Sequence, residues 1–147
     1  MNDNTLQKIL VVEDDALLRE SLQEVLTGQG YLVETCQDGI EGLEKVCANR
    51  FNLIITDIKM PNLDGNELYL SIVQRYPNMK DKFLFISANF NDLIFKKAAK
   101  GKRRHLAKPF KMAEIISYVK AILTESEGRH LALIDKQTIG SQITDNA

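Results

Sequence analysis

The feature that most restricts how this chain can fold is a repeated change of hydrophobic pattern, from short apolar runs to longer segments with helical spacing. Five short runs predict β-strands, and they cover residues 8–12, 31–36, 51–55, 83–86 and 105–107. Because parallel strands need crossover connections, strands that alternate with helices favour one parallel sheet. We therefore predict an α/β fold, a doubly wound five-stranded parallel sheet with helices on both faces.

The segments between these runs carry apolar residues at helical spacing. The predicted helices lie at residues 16–27, 40–47, 68–76, 93–99 and 115–123. Residues 58–65 predict a loop, because they are rich in Pro, Asn, Asp and Gly. Cys36 and Cys47 fall on apolar patterns, so we expect both to be small buried residues rather than a disulfide or a metal pair.

The length of 147 residues leaves room for one ordinary domain. The periodic pattern predicts that domain over residues 1–124. It predicts a C-terminal tail over residues 125–147, which is too short for an effector domain. No apolar run is long enough to cross a bilayer, and residues 1–8 lack the apolar centre of a signal peptide. We expect a cytoplasmic protein without membrane contact.

Polar residues follow four of the predicted strands. The carboxyl ends of parallel strands share one edge of a sheet, where ligands bind, so we expect these side chains to converge. They are Glu13, Asp14 and Asp15 after the first strand, Asp57 after the third, Ser87 after the fourth and Lys108 after the fifth. Carboxylates so close together repel one another unless a cation joins them. Oxygen ligands of this kind favour Mg²⁺.

This set of side chains has the parts needed to transfer a phosphoryl group to a carboxylate. The Asp57 carboxylate is the predicted nucleophile and attacks phosphorus in line. We expect the Lys108 ammonium to pair with a phosphoryl oxygen and the metal to neutralise phosphate charge.

Four short motifs follow one another along the chain: residues 9–15 (ILVVEDD), 57–65 (DIKMPNLDG), 86–88 (ISA) and 108–110 (KPF). In this order they resemble the response-regulator receiver domain of two-component signalling. The resemblance covers residues 7–123 and implies a flavodoxin-like sheet with the strand order 2-1-3-4-5. It also implies that Asp57 is the phosphoacceptor, with Mg²⁺ bound directly by Asp14 and Asp57, through water by Glu13 and by the main-chain carbonyl of Lys59.

The resemblance assigns further roles around this site. Ser87 is the hydroxyl that moves to the phosphoryl group, Lys108 is its ion-pair partner, and the peptide bond before Pro109 is cis. The donor is a phosphohistidine on a sensor histidine kinase or a histidine phosphotransfer protein. Besides accepting this group, the domain is expected only to hydrolyse its own acyl phosphate slowly, so it is not an enzyme in the usual sense.

The implied output is a change at the surface of the domain. The phosphoryl group draws Ser87 inward and alters a face made by the fourth helix, the fifth strand and the fifth helix, which a downstream protein reads. The resemblance leaves open whether the phosphorylated form makes a homodimer. Direct DNA binding is not expected, because the tail cannot hold a DNA-reading domain.

Two departures from the family pattern concern this output face. His105 stands three residues before Lys108, where the family has an aromatic switch residue, so it is either the switch or an ordinary strand histidine. In residues 93–113 there are eight Lys plus Arg and no Asp or Glu. The rest of the chain contains the other 11 of the 19 basic residues and all 20 acidic residues. Residues 93–113 therefore have a net charge of +8, and the remainder of the chain has a net charge of −9.

The basic segment keeps a second interpretation open. A receiver fold that acts as a scaffold or a nucleic-acid-binding module through residues 96–111 would have the same charge pattern. Lack of interleaved aromatic residues makes a protein partner the better explanation. A metal-dependent phosphatase with an aspartyl intermediate is a weaker alternative, because Lys59, rather than a second acid, stands two residues after Asp57.

Overall fold

The structure is a computed structural model that describes residues 6–88 and 104–125. Its strands are β1 (Lys8–Val12), β2 (Leu32–Cys36), β3 (Leu53–Asp57), β4 (Phe83–Ser87) and β5 (Arg104–Ala107). Its α-helices are α1 (Ala16–Gly28), α2 (Gly39–Ala48), α3 (Gly65–Arg75) and α4 (residues 112–125), and a 3-10 turn covers Pro77–Met79. The strands pair in parallel in the order β2-β1-β3-β4-β5. This arrangement confirms the predicted fold class.

The centre of the sheet is buried on both faces. All five side chains of β3 are buried, as are four of the five in β1 and in β4. Because successive side chains of a strand point to opposite faces, both faces of the sheet are covered. Each fully buried Leu or Ile contributes about 1.5–3 kcal/mol to folding. These strands therefore form a rigid support for the polar residues at their carboxyl ends.

Strands β1, β2 and β3 are each followed by a helix, and each of these three helices starts with an acidic cap. The Asp15 carboxylate accepts two N–H groups in the first turn of α1, and Asp38 accepts one at the start of α2. At α3, Asp64 and Glu67 form a reciprocal capping box. These caps satisfy N–H groups that a helix start leaves unpaired. At α1 and α2 the chain therefore turns from strand to helix within three residues.

The predicted burial of Cys47, in helix α2, is wrong. Cys47 is exposed, and Ile40 on the same helix is 49% exposed. The buried face of α2 instead includes Gly42 and Val46. Glycine adds nothing to a hydrophobic pattern, so apolar periodicity misplaces a helix face that contains it. Cys36, at the end of β2, is buried as predicted.

The predicted boundaries differ from the observed ones mainly at polar residues. β3 runs to Asp57, two residues beyond the predicted strand, and α3 begins at Gly65, inside the predicted loop. The predicted helix at residues 93–99, most of the basic segment and the tail beyond residue 125 lie outside the described residues.

The chain divides into two compact units, Met1–Ile116 and Ser117–Ala147. Every residue of the candidate site lies in the first unit, and the described part of the second unit is residues 117–125 of α4. The predicted domain end at residue 124 stays a prediction. Of the helices in the described ranges, none combines the length and apolar character needed to span a membrane.

Candidate functional site

The turn after β1 presents three acidic residues in three different environments. The Glu13 side chain is fully buried, and its main-chain N–H donates to the Cys36 carbonyl at 3.1 Å, which extends the β1–β2 pairing. Asp14 is exposed. The Asp15 carboxylate caps α1, while its N–H donates to Glu13 Oε1 at 3.2 Å. Of these three acids, only Glu13 and Asp14 join the carboxylate cluster of the site.

Asp57 is the last residue of β3 and is 7% exposed. It lies opposite Ile86 of β4, and the next residue, Ile58, donates its N–H to the Ile86 carbonyl at 3.2 Å. Gly65, at the start of α3, lies so near that a Cβ atom there would collide with the Asp57 carbonyl. Asp57 is thus fixed by the sheet on one side and by the start of a helix on the other.

One carboxylate oxygen from each of Glu13, Asp14 and Asp57 lies within 4.8 Å of the others. Burial, and then the charge of Asp57, raise the pKa of Glu13 from 4.5 to about 7, against the opposing effects of the Asp15 N–H hydrogen bond and of Lys108. This cluster was predicted from the strand ends, with Asp15 as an additional acid that the structure assigns to helix capping.

Lys108 supplies positive charge to this cluster. Its Nζ atom lies 2.7 Å from Asp57 Oδ2 and 3.4 Å from Glu13 Oε2. Burial alone would lower the pKa of Lys108, but the hydrogen bond to Asp57 and the charges of Asp57 and Glu13 raise it above its ordinary value. The Lys108–Pro109 peptide bond is cis, as the resemblance implied.

Ser87 ends β4 and lies opposite Ala107 of β5. Its carbonyl accepts the Lys108 N–H at 2.8 Å. The structure therefore brings Ser87 to the same edge of the sheet as Asp57 and Lys108, which was expected from its place at a strand end.

The other two predicted site residues, His105 and Lys59, have exposed side chains. The His105 side chain is exposed on β5, opposite Phe85 of β4. The Lys59 side chain is exposed in the segment that follows β3. The role that the resemblance implies for Lys59 needs only its main-chain carbonyl, so an exposed side chain is compatible with it.

Two residues near the site were not predicted. The Arg19 side chain, in α1, donates to the Glu13 carbonyl at 2.9 Å. Gly65 permits α3 to start against Asp57. The capping pattern of Asp64 and Glu67 is a sequence signal that could have placed the start of α3, but no linear pattern identifies the contact of Arg19.

The donor set fits a hard divalent cation. Three carboxylates supply oxygen ligands, and the combination of buried Glu13 and Asp57 with exposed Asp14 leaves one side of the cluster open to solvent. Mg²⁺ prefers such oxygen ligands and retains several waters. Glu13, Asp14 and Asp57 are thus suited to hold it.

Comparison with known sequences agrees with this geometry. The profile of the response regulator receiver domain matches residues 9–120. The chain belongs to the response-regulator receiver domain family. Members of this family are signalling modules of two-component systems, and they interact with histidine kinases and downstream effectors.

Individual relatives give the extent of the likeness. Response regulator MprA of Mycobacterium sp. strain KMS is 34% identical over 119 residues, which are 79% of this receiver chain and 50% of MprA. This chain spans about half the length of the curated relatives it matches.

Solved receiver structures share the fold. A CheY-like receiver domain protein of Methanospirillum hungatei is 30% identical with a TM-score of 0.76, over 85% of this chain and 99% of its own. Response regulator TrrA of Thermotoga maritima was solved in complex with Mg²⁺–BeF. It is 31% identical with a TM-score of 0.68, over 80% of this chain and 99% of TrrA.

Proposed function

We propose that this receiver domain accepts a phosphoryl group on Asp57 from a phosphohistidine of a sensor histidine kinase or a histidine phosphotransfer protein. The observation that carries the proposal is the contact of Lys108 Nζ with Asp57 Oδ2 at 2.7 Å, beside the carboxylates of Glu13 and Asp14. A carboxylate at a purely structural position needs one partner, whereas this one adjoins two further acids and a lysine from the end of β5. Lys108, together with a cation held by the neighbouring acids, would offset the negative charge that Asp57 gains with a phosphoryl group.

The proposed transfer is a displacement at phosphorus. A carboxylate oxygen of Asp57 forms the new O–P bond as the N–P bond of the phosphohistidine breaks, and the donor imidazole leaves with the electron pair. Lys108 balances the added negative charge by pairing with a phosphoryl oxygen. The Ser87 hydroxyl, at the end of the neighbouring strand, donates a hydrogen bond to another phosphoryl oxygen.

The proposed metal ligands are the carboxylates of Asp14 and Asp57, Glu13 through water, and the Lys59 carbonyl. Bound Mg²⁺ supplies positive charge that offsets the charge of the phosphoryl oxygens. Support for Mg²⁺ comes from the donor set of the cluster and from the Mg²⁺–BeF complex of the related TrrA.

The proposed output is contact with a downstream protein. Its surface comprises the predicted helix at residues 93–99, β5 and the last helix, with His105 exposed on β5. The net charge of +8 in residues 93–113 favours an acidic partner. Phosphorylation would bias this surface through Ser87, whose carbonyl is hydrogen-bonded to Lys108.

Acetyl phosphate with Mg²⁺ tests the phosphoacceptor proposal. The wild-type protein should gain the mass of one phosphoryl group, in a linkage that is stable in acid and labile in base. Asp57→Asn should gain none. Asp15→Asn is the matched control, because asparagine also caps helices well and Asp15 lies outside the carboxylate cluster; it should be modified like the wild type. An unmodified wild type, or a modified Asp57→Asn protein, would refute the proposal.

A mobility-shift titration with duplex DNA and single-stranded RNA tests the alternative of a nucleic-acid module. At physiological salt we expect no complex from either the unphosphorylated or the phosphorylated protein. Tight binding that is lost on charge reversal of Lys102, Arg103 and Arg104 would instead support the alternative.

A further inference from the structure

Arg19 contacts the main chain of the acidic turn that follows β1. Its Nη1 atom donates to the Glu13 carbonyl at 2.9 Å and makes a longer contact of 3.5 Å with the Asp14 carbonyl. Arg19 lies in the first turns of α1, and its side chain is half-buried. A guanidinium group is a rigid planar donor, so it can fix acceptors more closely than a flexible ammonium group.

The rest of this turn is held at its two ends. The Glu13 N–H donates to the Cys36 carbonyl at 3.1 Å, and the Asp15 carboxylate caps α1. The carbonyls of Glu13 and Asp14 lie between these anchors, outside β1 and α1. Arg19 therefore restrains the part of the turn from which two of the clustered carboxylates project.

We propose that Arg19 is a positioning residue for the metal site, which holds Glu13 and Asp14 in the orientation that binds Mg²⁺. This inference rests on the proposed function, because it concerns the same metal site. Both hydrogen bonds of the Arg19 side chain go to the main-chain carbonyls of Glu13 and Asp14, not to their carboxylates. Arg19 would therefore act on the carboxylates through the main chain. Residues that orient metal ligands typically affect metal affinity by about 10–100-fold.

A positioning role and a purely electrostatic effect of Arg19 predict opposite changes in Mg²⁺ affinity when the residue is replaced. A fixed positive charge close to a cation site repels the metal, so removing the charge alone would tighten Mg²⁺ binding. Removing a positioning contact would weaken it. The sign of the change in Mg²⁺ affinity of Arg19→Gln therefore separates the two effects.

The experiment titrates metal-free protein with Mg²⁺ and follows amide chemical shifts in the wild type, Arg19→Gln, Arg19→Lys and Arg75→Gln. We expect about 10-fold weaker binding by Arg19→Gln and a smaller loss for Arg19→Lys, which can still donate to one carbonyl. Arg75→Gln is the matched control, since Arg75 contacts Cys47 Sγ on a different helix, and it should bind Mg²⁺ like the wild type.

A second measurement needs no metal. In the metal-free protein, the Asp15 N–H that donates to Glu13 Oε1 should exchange with solvent faster in Arg19→Gln than in the wild type or in Arg75→Gln. Thermal unfolding verifies that each variant is folded, and Arg19→Lys carries the test if Arg19→Gln is not. Equal or tighter Mg²⁺ binding by the folded Arg19 variant would overturn the positioning role of Arg19 but leave the proposed metal site intact. Failure of the wild type to bind Mg²⁺ would overturn the proposed metal site, and this inference with it.

Discussion

Lys108 Nζ lies 2.7 Å from Asp57 Oδ2, although 51 residues separate them in the chain. The two residues come from the ends of β5 and β3, which are not neighbours in the sheet, since β4 lies between them. The lysine side chain therefore reaches past the end of β4 to the aspartate. It also approaches Glu13 at the end of β1, so one cation serves carboxylates from two strands.

Lys108→Met should destabilise the metal-free protein at pH 8. Methionine keeps much of the side-chain volume but leaves Asp57 and buried Glu13 without their cation, and a lost hydrogen bond to a charged group costs about 1–3 kcal/mol. Urea unfolding measures the change. Lys45→Met is the control, because its contact with Glu34 is 3.7 Å and more exposed, and it should change stability by less than about 1 kcal/mol. Similar losses in both variants would contradict this role of Lys108.

Glu13 should make the metal-free protein less stable as pH rises from about 5 to 8. The pKa of Glu13 is about 7 in the folded protein against 4.5 ordinarily, so the folded state binds more protons in this range. Stability is then present below the unfolded pKa and is lost as pH rises through the folded pKa. One pKa unit corresponds to about 1.4 kcal/mol.

Urea unfolding at several pH values, with a chelator present, tests this dependence. Glu13→Gln should remove most of the loss between pH 5 and 8. Glu20→Gln changes an exposed glutamate of α1 and should retain the wild-type profile. A Glu13→Gln protein with an unchanged profile would show that another group is responsible.

Gly65→Ala and Gly28→Ala should have effects of opposite sign. A Cβ atom at residue 65 would collide with the Asp57 carbonyl, whereas one at residue 28 has no atom within 4 Å. We expect Gly65→Ala to lose about 1–3 kcal/mol of unfolding free energy and to reduce the rate of Asp57 phosphorylation. Gly28→Ala, at the end of α1, should gain up to about 1 kcal/mol. A neutral Gly65→Ala variant would contradict the observed closeness of α3 to Asp57.

The two cysteines should differ in reactivity. Cys47 is exposed and Cys36 is buried, and burial raises the pKa of the Cys36 thiol to about 12, which keeps it protonated at pH 8. A colorimetric disulfide reagent should therefore modify one thiol in the native protein and two in urea. Cys47→Ser should abolish the native reaction, while Cys36→Ser should preserve it. Rapid modification of Cys36 in the folded protein would contradict its burial.

The sequence predicts the fold well where hydrophobic pattern alone decides the structure. β1 matches its predicted bounds of residues 8–12, because a buried parallel strand is apolar throughout. The prediction ends β3 at the last apolar residue, yet β3 continues to Asp57. Main-chain pairing with β4 requires no apolar side chain, so a polar residue can belong to a strand that hydrophobicity does not reveal.

The site was predictable to the extent that strand ends meet at one edge. This rule brought together Glu13, Asp14, Asp57 and Lys108, and the structure places them as neighbours. It could not identify Arg19, because the contact of its side chain with the Glu13 carbonyl depends on the direction in which α1 leaves the turn after β1. It could not place Cys47 either, because a helix face containing glycine carries a weak hydrophobic signal.

The hydrogen bond from the Lys108 N–H to the Ser87 carbonyl, at 2.8 Å, joins the ends of β4 and β5 directly. The hydroxyl and the ammonium that would contact a phosphoryl group thus belong to two residues whose main chains are hydrogen-bonded to each other. If Ser87 moves toward a phosphoryl group as we propose, this bond would pass the displacement to the main chain of Lys108, so the two phosphate contacts would adjust together.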